Sequence, residues 1–137
     1  MKNNMQKTEK EEENAMPVYR VIIAGCRDFQ DYALLKEKCE YYLQNKLQSD
    51  NVIIVSGHAS GADSLGERFA QEHCLQVELH PADWAKHGRA AGPIRNKKMA
   101  ECADALIAFW DGKSKGTKNM IDLARRYGLD VSIVSYN

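Results

Sequence analysis

Ala105-Leu106-Ile107-Ala108-Phe109-Trp110 runs without a break into Asp111-Gly112-Lys113-Ser114-Lys115-Gly116-Thr117. The first six residues are too apolar to face water and too few for a buried helix, so they predict a strand covered on both faces. The next seven change character at once, with two glycines, two lysines and two hydroxyls. Met120, Ile121 and Ala124 then start a helical period that Gly128 stops. The reading is strand, cationic loop, helix. A helix start offers unpaired backbone N–H groups and a positive dipole end, so Lys113 and Lys115 beside it describe an anion cradle.

Outward from this stretch, the same grammar repeats. Val21-Ile22-Ile23-Ala24 ends in Gly25 and reads as a first buried strand, with Cys26-Arg27-Asp28-Phe29 as its loop. A helix is expected from about Asp31, where Leu35, Cys39, Tyr42, Leu43 and Leu47 recur at helical steps, to a stop at Ser49-Asp50-Asn51. Val52-Ile53-Ile54-Val55 is the second strand, and Ser56-Gly57-His58-Ala59-Ser60-Gly61-Ala62-Asp63 its turn. The next helix carries Ala62, Leu65, Phe69 and Ala70 on one side, with Gly66 permitting close packing. Val77-Glu78-Leu79-His80 alternates as a short third strand closed by Pro81, and Val131-Ser132-Ile133-Val134 is the fifth.

Ala82 to Arg95 reads as a long irregular loop, a common place for function. Pro93 fits the first turn of a helix running through Met99 and Cys102, which brings Arg95 and Asn96 to that helix's start. Five alternations of strand and helix define an α/β domain with a parallel sheet covered on both faces. Ligands bind such sheets at the carboxyl ends of the strands. The polar turns Gly25–Phe29, Ser56–Asp63, Pro81–Arg95 and Asp111–Thr117 all fall there.

At 137 residues the chain suits one domain, and 19 basic residues balance 19 acidic ones, so global charge names no partner. Residues 1–16 are charged, nearly free of apolar side chains and expected to be a disordered tail. The absence of a secretion-signal core or an apolar run of membrane-spanning length predicts a cytoplasmic protein with no membrane partner. Cys26, Cys39, Cys74 and Cys102 show no CxxC pairing and read as reduced thiols. His73, Cys74, His80 and His87 match no metal-ligand spacing, so no metal is expected.

Gly57 and Gly61 serve equally as turn glycines, and their spacing is neither a dinucleotide fingerprint nor a P-loop, which argues against nucleoside triphosphate hydrolysis. Paired with Gly112–Thr117, they favour phosphate contact. Lys97 and Lys98 read as a solvated helix face, whereas Arg95 follows Gly92-Pro93 at a helix start, where a guanidinium clamps phosphate. Asp28, Asp63 and Asp111 fit turn or cap roles, or one of them accepts hydrogen bonds from a sugar. Cys26 reads as a small residue filling a tight turn. Trp84 and Trp110 read as core or interface residues, with base stacking as the alternative.

Gly25-Cys26-Arg27-Asp28-Phe29, Ser56–Asp63, Pro81-Ala82-Asp83-Trp84, Gly88–Asn96 and Ala103–Thr117, in that order, resemble the YspA-type branch of the SLOG superfamily over about residues 18–134. The resemblance implies a Rossmann-like three-layer sandwich with a mainly parallel five-stranded sheet over residues 17–137. It also implies a nucleotide or nucleotide-derived ligand, no required cofactor, a role with partners in stress or conflict systems, and a homodimer. The site set is Gly25, Arg27, Asp28, Ser56, Gly57, Ser60, Gly61, Asp63, Arg89, Gly92, Arg95, Asn96, Asp111, Gly112, Ser114, Gly116 and Thr117. The superfamily's LOG enzymes, phosphoribohydrolases of nucleoside monophosphates, supply the alternative, with Arg95 and Asp63 as the catalytic pair. Asn119 stands where their glutamate is expected, with Asp122 one helical turn further on. Single-stranded DNA binding, as in Smf/DprA relatives, is the third reading. The balanced charge here predicts against a nucleic-acid partner.

Overall fold

The structure, a computed structural model, describes residues 16–136. Apart from Met16, the expected tail lies outside the described residues. Strands β1 (Val18–Gly25), β2 (Asn51–Ser56), β3 (Gln76–Leu79), β4 (Ala105–Trp110) and β5 (Asp130–Ser135) form one sheet in the order β3-β2-β1-β4-β5. Every neighbouring pair is parallel, so the sheet is wholly rather than mainly parallel. Each return to the carboxyl-to-amino direction passes through helix, as parallel pairing requires.

The helices are α1 (Tyr32–Leu43), α2 (Lys46–Ser49), α3 (Ala62–Glu72), α4 (Trp84–His87), α5 (Ala91–Cys102) and α6 (Lys115–Arg126). Alternate side chains of β1 serve opposite faces. Val21 and Ile23 pack with Leu35, Cys39 and Leu43 of α1 and Phe69 and Ala70 of α3. Ile22 and Ala24 pack with Met99 and Ala100 of α5 and Met120, Ile121 and Ala124 of α6. This is a three-layer, Rossmann-like α/β fold. The chain winds outward from β1 through β2 to β3, then crosses back to β4, so strand order reverses between β1 and β4. That reversal opens a crevice at the carboxyl edge.

Two readings of local structure change. The expected helix from Asp31 to Ser49 is split by a turn at Gln44-Asn45; its start stands, because the Asp31 carboxylate accepts from Leu34 N at 3.0 Å. The expected loop at Ala82–Arg95 is mostly helical. The Asp83 carboxylate accepts from Lys86 N at 3.1 Å and starts α4, a single turn of 3-10 helix (Gly88–Ala90) follows, and α5 begins at Ala91 with Pro93 in its first turn. Short capped turns crowded with Gly and Pro carry too little apolar period to be seen as helix in sequence.

Gly66 lets α3 lie directly on β1, where a Cβ would come 2.8 Å from Ile23 Cβ. Gly128 ends α6 with φ of 77°. All four cysteines are free, with Cys26 and Cys39 buried and Cys74 and Cys102 exposed. No helix among the described residues is long and apolar enough to cross a membrane.

Candidate functional site

A cavity of about 620 Å³ opens between the β1 and β4 loops and the start of α5. The β4 side is built by its own backbone. Asp111 Oδ1 accepts from Lys113 N at 2.8 Å and Ser114 N at 2.9 Å, which holds the carboxyl below its ordinary range and closes the turn that Gly112 enters with φ of 81°. Ser114 then caps α6, its Oγ accepting from Thr117 N at 3.4 Å and from Thr117 Oγ1 at 3.1 Å. Trp110 Nε1 donates to Ser114 O at 3.1 Å, so this tryptophan braces the loop. Lys115, Gly116 and Thr117, the first turn of α6, line the cavity.

The opposite wall comes from α5 and the β2 turn. Arg95 donates from Nη1 to Gly57 O at 2.6 Å and from Nε to Asn96 Oδ1 at 2.9 Å. Asn96, 7% exposed, donates in turn to Asn119 Oδ1 at 3.0 Å and ties α5 to α6. Burial lowers the Arg95 pKa, partly offset by the attraction of Asp63. Among the described residues no ion pair within 4.0 Å engages Arg95. Asp63, 5% exposed in the first turn of α3, accepts from Ala59 N at 3.3 Å. Desolvation raises its pKa to about 6, against the pull of that hydrogen bond and of Arg95. Gly57 sits between the two, since a Cβ there would come 2.5 Å from Arg95 Nη1 and 2.8 Å from Asp63 Oδ2.

Eleven residues of the sequence-derived set line this cavity: Gly25, Arg27 and Asp28 after β1; Asp63 on α3; Gly92, Arg95 and Asn96 on α5; Asp111, Ser114, Gly116 and Thr117 after β4. Six do not, and each departure has a local reason. Ser56 is fully buried and donates to Glu67 Oε2 at 2.8 Å, a bond that secures the β2 turn. Gly57 contributes its carbonyl to Arg95 rather than a surface to ligand. Gly61, φ 77°, is pressed against the backbone of Cys26 and Arg27, and Ser60 is exposed beside it. Arg89 is exposed on the 3-10 turn, and Gly112 serves the loop's conformation.

Sequence reasoning left Cys26, Trp84 and Lys115 off the site set although they lie in the quoted motifs, and Asn119, just beyond them, as well; all four line the cavity, as do Ala59 and Met99. Cys26, 3% exposed, approaches Thr117 Oγ1 at 4.0 Å. Asp122 faces away, paired with Lys118 at 3.0 Å and half exposed. The lining cations Arg27, Arg95 and Lys115 are thus matched by Asp28, Asp63 and Asp111.

Among the described residues one trio has metal-ligand chemistry in reach: the ligand atoms of Glu78, His80 and Cys102 lie within 4.8 Å of one another, away from the cavity. Glu78 already accepts from Arg20 Nε at 2.9 Å. Of the histidines and cysteines weighed in the sequence only His80 belongs to it, so the set His73, Cys74, His80 and His87 is not gathered by the fold.

A Rossmann-like domain with its crevice at the reversal of strand order is the class that fold and site define. Residues 19–87 match the family described as YspA, cpYpsA-related SLOG. A Gene 61 protein of Mycobacterium phage D29 is 33% identical over 118 residues, spanning 82% of this chain and 93% of the phage protein. The chain belongs to that SLOG family. Among solved structures, DNA processing protein A from Helicobacter pylori, described with a unique single-stranded DNA binding mode, shares the fold. Its TM-score is 0.57 at 19% identity, over 92% of this chain and 69% of that one. This overturns one expectation: balanced charge is no ground for setting nucleic acid aside, because a protein of the same fold binds it. Net charge averages over the whole surface, whereas a nucleic-acid contact needs only local cations.

Proposed function

We propose that the cavity binds the phosphate-bearing end of a nucleotide or nucleotide-derived ligand, as a binding domain of the kind that serves sensing. The observation that carries the reading is Arg95: a partly buried guanidinium, held by Gly57 O and Asn96, engaged by no carboxylate within 4.0 Å among the described residues and facing the α6 start across the cavity. Holding a guanidinium partly out of water with no carboxylate in contact is costly unless an anion joins it. The first turn of α6, with Ser114, Thr117 and Lys115, adds backbone N–H groups and a dipole end that favour the same anion.

The test is thermal unfolding of the full chain against nucleoside mono-, di- and triphosphates, ADP-ribose, cyclic nucleotides and a short single-stranded oligodeoxynucleotide. A ligand at about a hundred times its dissociation constant adds about 2.7 kcal/mol, several degrees in midpoint for a domain of this size. The expected outcome is a shift that Arg95→Ala abolishes. The oligonucleotide arm distinguishes a free nucleotide from one within a strand. No shift with any compound would refute the reading.

Asp63 favours a second reading, turnover of a nucleoside monophosphate by N-glycosidic cleavage. A buried carboxyl titrating at about 6 in the same cavity as Arg95 is suited to proton transfer near neutrality. The resemblance to LOG enzymes puts Asn119 where their glutamate is expected, so on this reading Asp63 supplies the acid or base. Release of free base above the buffer level, lost in Asp63→Asn, is the result that supports it.

A further inference from the structure

Trp84 is the largest side chain that the fold does not use for itself. It is 50% exposed, belongs to neither core cluster, and begins a four-residue helix fastened by the Asp83 cap. Its indole nevertheless lines the cavity. Gly92, in the first turn of α5, supplies its bed: a Cβ at that position would stand 3.4 Å from Trp84 Cη2. Above the ring lies Arg27, its guanidinium carbon 5.5 Å from the ring centroid. Arg27 is exposed and in no ion pair within 4.0 Å among the described residues, so its long stem is free to swing. Trp110 offers a contrast, because its N–H is committed to Ser114 O.

An exposed indole and a guanidinium in no ion pair, facing one another at the wall of a polar cavity, are two planar groups on which a flat heterocycle can stack. A sugar phosphate has no such surface. Resting on the phosphate reading above, we propose that Trp84 and Arg27 form a stacking clamp for a heterocyclic base. The anion cradle holds the ligand's phosphate and the clamp holds its ring. A bicyclic purine covers more of the indole than a pyrimidine does, so the ligand class is a purine nucleotide, with purine ahead of pyrimidine and both ahead of a ligand without a base. Arg27 moves aside to cap the second face of the ring.

The experiment is calorimetric titration of the full chain with AMP, GMP, CMP, ribose 5-phosphate and inorganic phosphate, repeated on Trp84→Ala, Trp84→Phe and Arg27→Ala. Base–aromatic stacking predicts that the purine monophosphates bind about tenfold or more tightly than ribose 5-phosphate. Trp84→Ala erases that advantage and leaves ribose 5-phosphate binding unchanged, Trp84→Phe restores most of it, and Arg27→Ala reduces it partly. Purine monophosphates should also quench tryptophan fluorescence, and that quenching should be absent in Trp84→Phe. Equal affinity for ribose 5-phosphate and purine monophosphates, or equal weakening of both by Trp84→Ala, would overturn the clamp while leaving the phosphate site standing. Failure of every compound to bind would overturn both. Unchanged circular dichroism in the exposed Trp84 and Arg27 variants separates lost recognition from lost folding.

Discussion

Arg95 Nη1 donates to the carbonyl oxygen of Gly57 across 2.6 Å, joining the start of α5 to the β2 turn at a point where a side chain would intrude. The atoms that an added Cβ would meet at Gly57 are ends of side chains, Arg95 Nη1 at 2.5 Å and Asp63 Oδ2 at 2.8 Å, not backbone. Gly57→Ala is therefore expected to fold with a modest loss, within about 1 kcal/mol, while displacing the guanidinium. Urea unfolding read beside ligand-induced thermal shift checks this: the midpoint should hardly move and the ligand shift should be lost. A large drop in stability with ligand binding intact would show that Gly57 serves the turn alone.

Gly66 and Gly25 give the opposite expectation. At Gly66 a Cβ would stand 2.8 Å from Ile23 Cβ, and at Gly25 it would run into the backbone carbonyl of Phe109. Neither obstacle can turn away. Gly66→Ala and Gly25→Ala should each cost on the order of 1–3 kcal/mol by forcing helix from sheet or strand from strand. Chemical denaturation measures both; an unchanged midpoint for either would contradict the close approach.

Asp63 predicts a pH dependence. Burial raises its pKa to about 6, so the folded chain keeps a proton that the unfolded chain has already released. Stability contributed by this group is present below about pH 4 and lost as pH rises to about 6, by on the order of 3 kcal/mol for a shift of about two units. Asp63→Asn should flatten that part of the profile and be more stable than the parent near pH 7.5, where the parent holds a buried charge. The check is unfolding free energy at pH 4.5, 6 and 7.5 for both proteins; parallel profiles would refute it.

The α6 cap yields a smaller effect. Ser114 Oγ accepts from Thr117 N and Thr117 Oγ1, so Ser114→Ala should destabilise by about 1 kcal/mol and weaken phosphate binding together. Ser114→Asp, which keeps a cap acceptor but adds negative charge to the cradle, should retain most of the stability while losing ligand. Parallel melts with and without ligand separate the two.

Strands β1, β2 and β4 were legible because an apolar run of four to six residues followed within two positions by glycine has few other readings; β4 agrees with its expected bounds at Ala105 and Trp110. Gly66 was legible for the same reason: a glycine on the apolar side of a helix implies contact. Ser56, by contrast, looked like a loop hydroxyl. Its partner Glu67 lies eleven residues on, across a helix whose rotation the sequence does not reveal. Trp84 was weighed as a core or interface residue, with base stacking as the alternative, because tryptophan is highly buried on average. Only the course of α4 and the start of α5 decides that it faces a cavity. The Arg95 contact with Gly57 spans 38 positions and depends on the crossover from β3 back to β4, which no local pattern encodes.

The two sides of the cavity differ mechanically. On one side Gly61 is wedged against Cys26 and Arg27, and Ala62 N bonds to Cys26 O at 3.3 Å, so the β1 and β2 loops behave as a single casting. On the other, Gly112 and Gly116 have nothing within 4 Å of where a Cβ would lie, and the segment they bound is tied chiefly to itself. The crevice is a vice with one fixed jaw and one adjustable jaw. A change of ligand can be accommodated by retooling Asp111–Lys115 alone, whereas at Gly61 the fixed jaw has backbone on every near side and no room for a side chain.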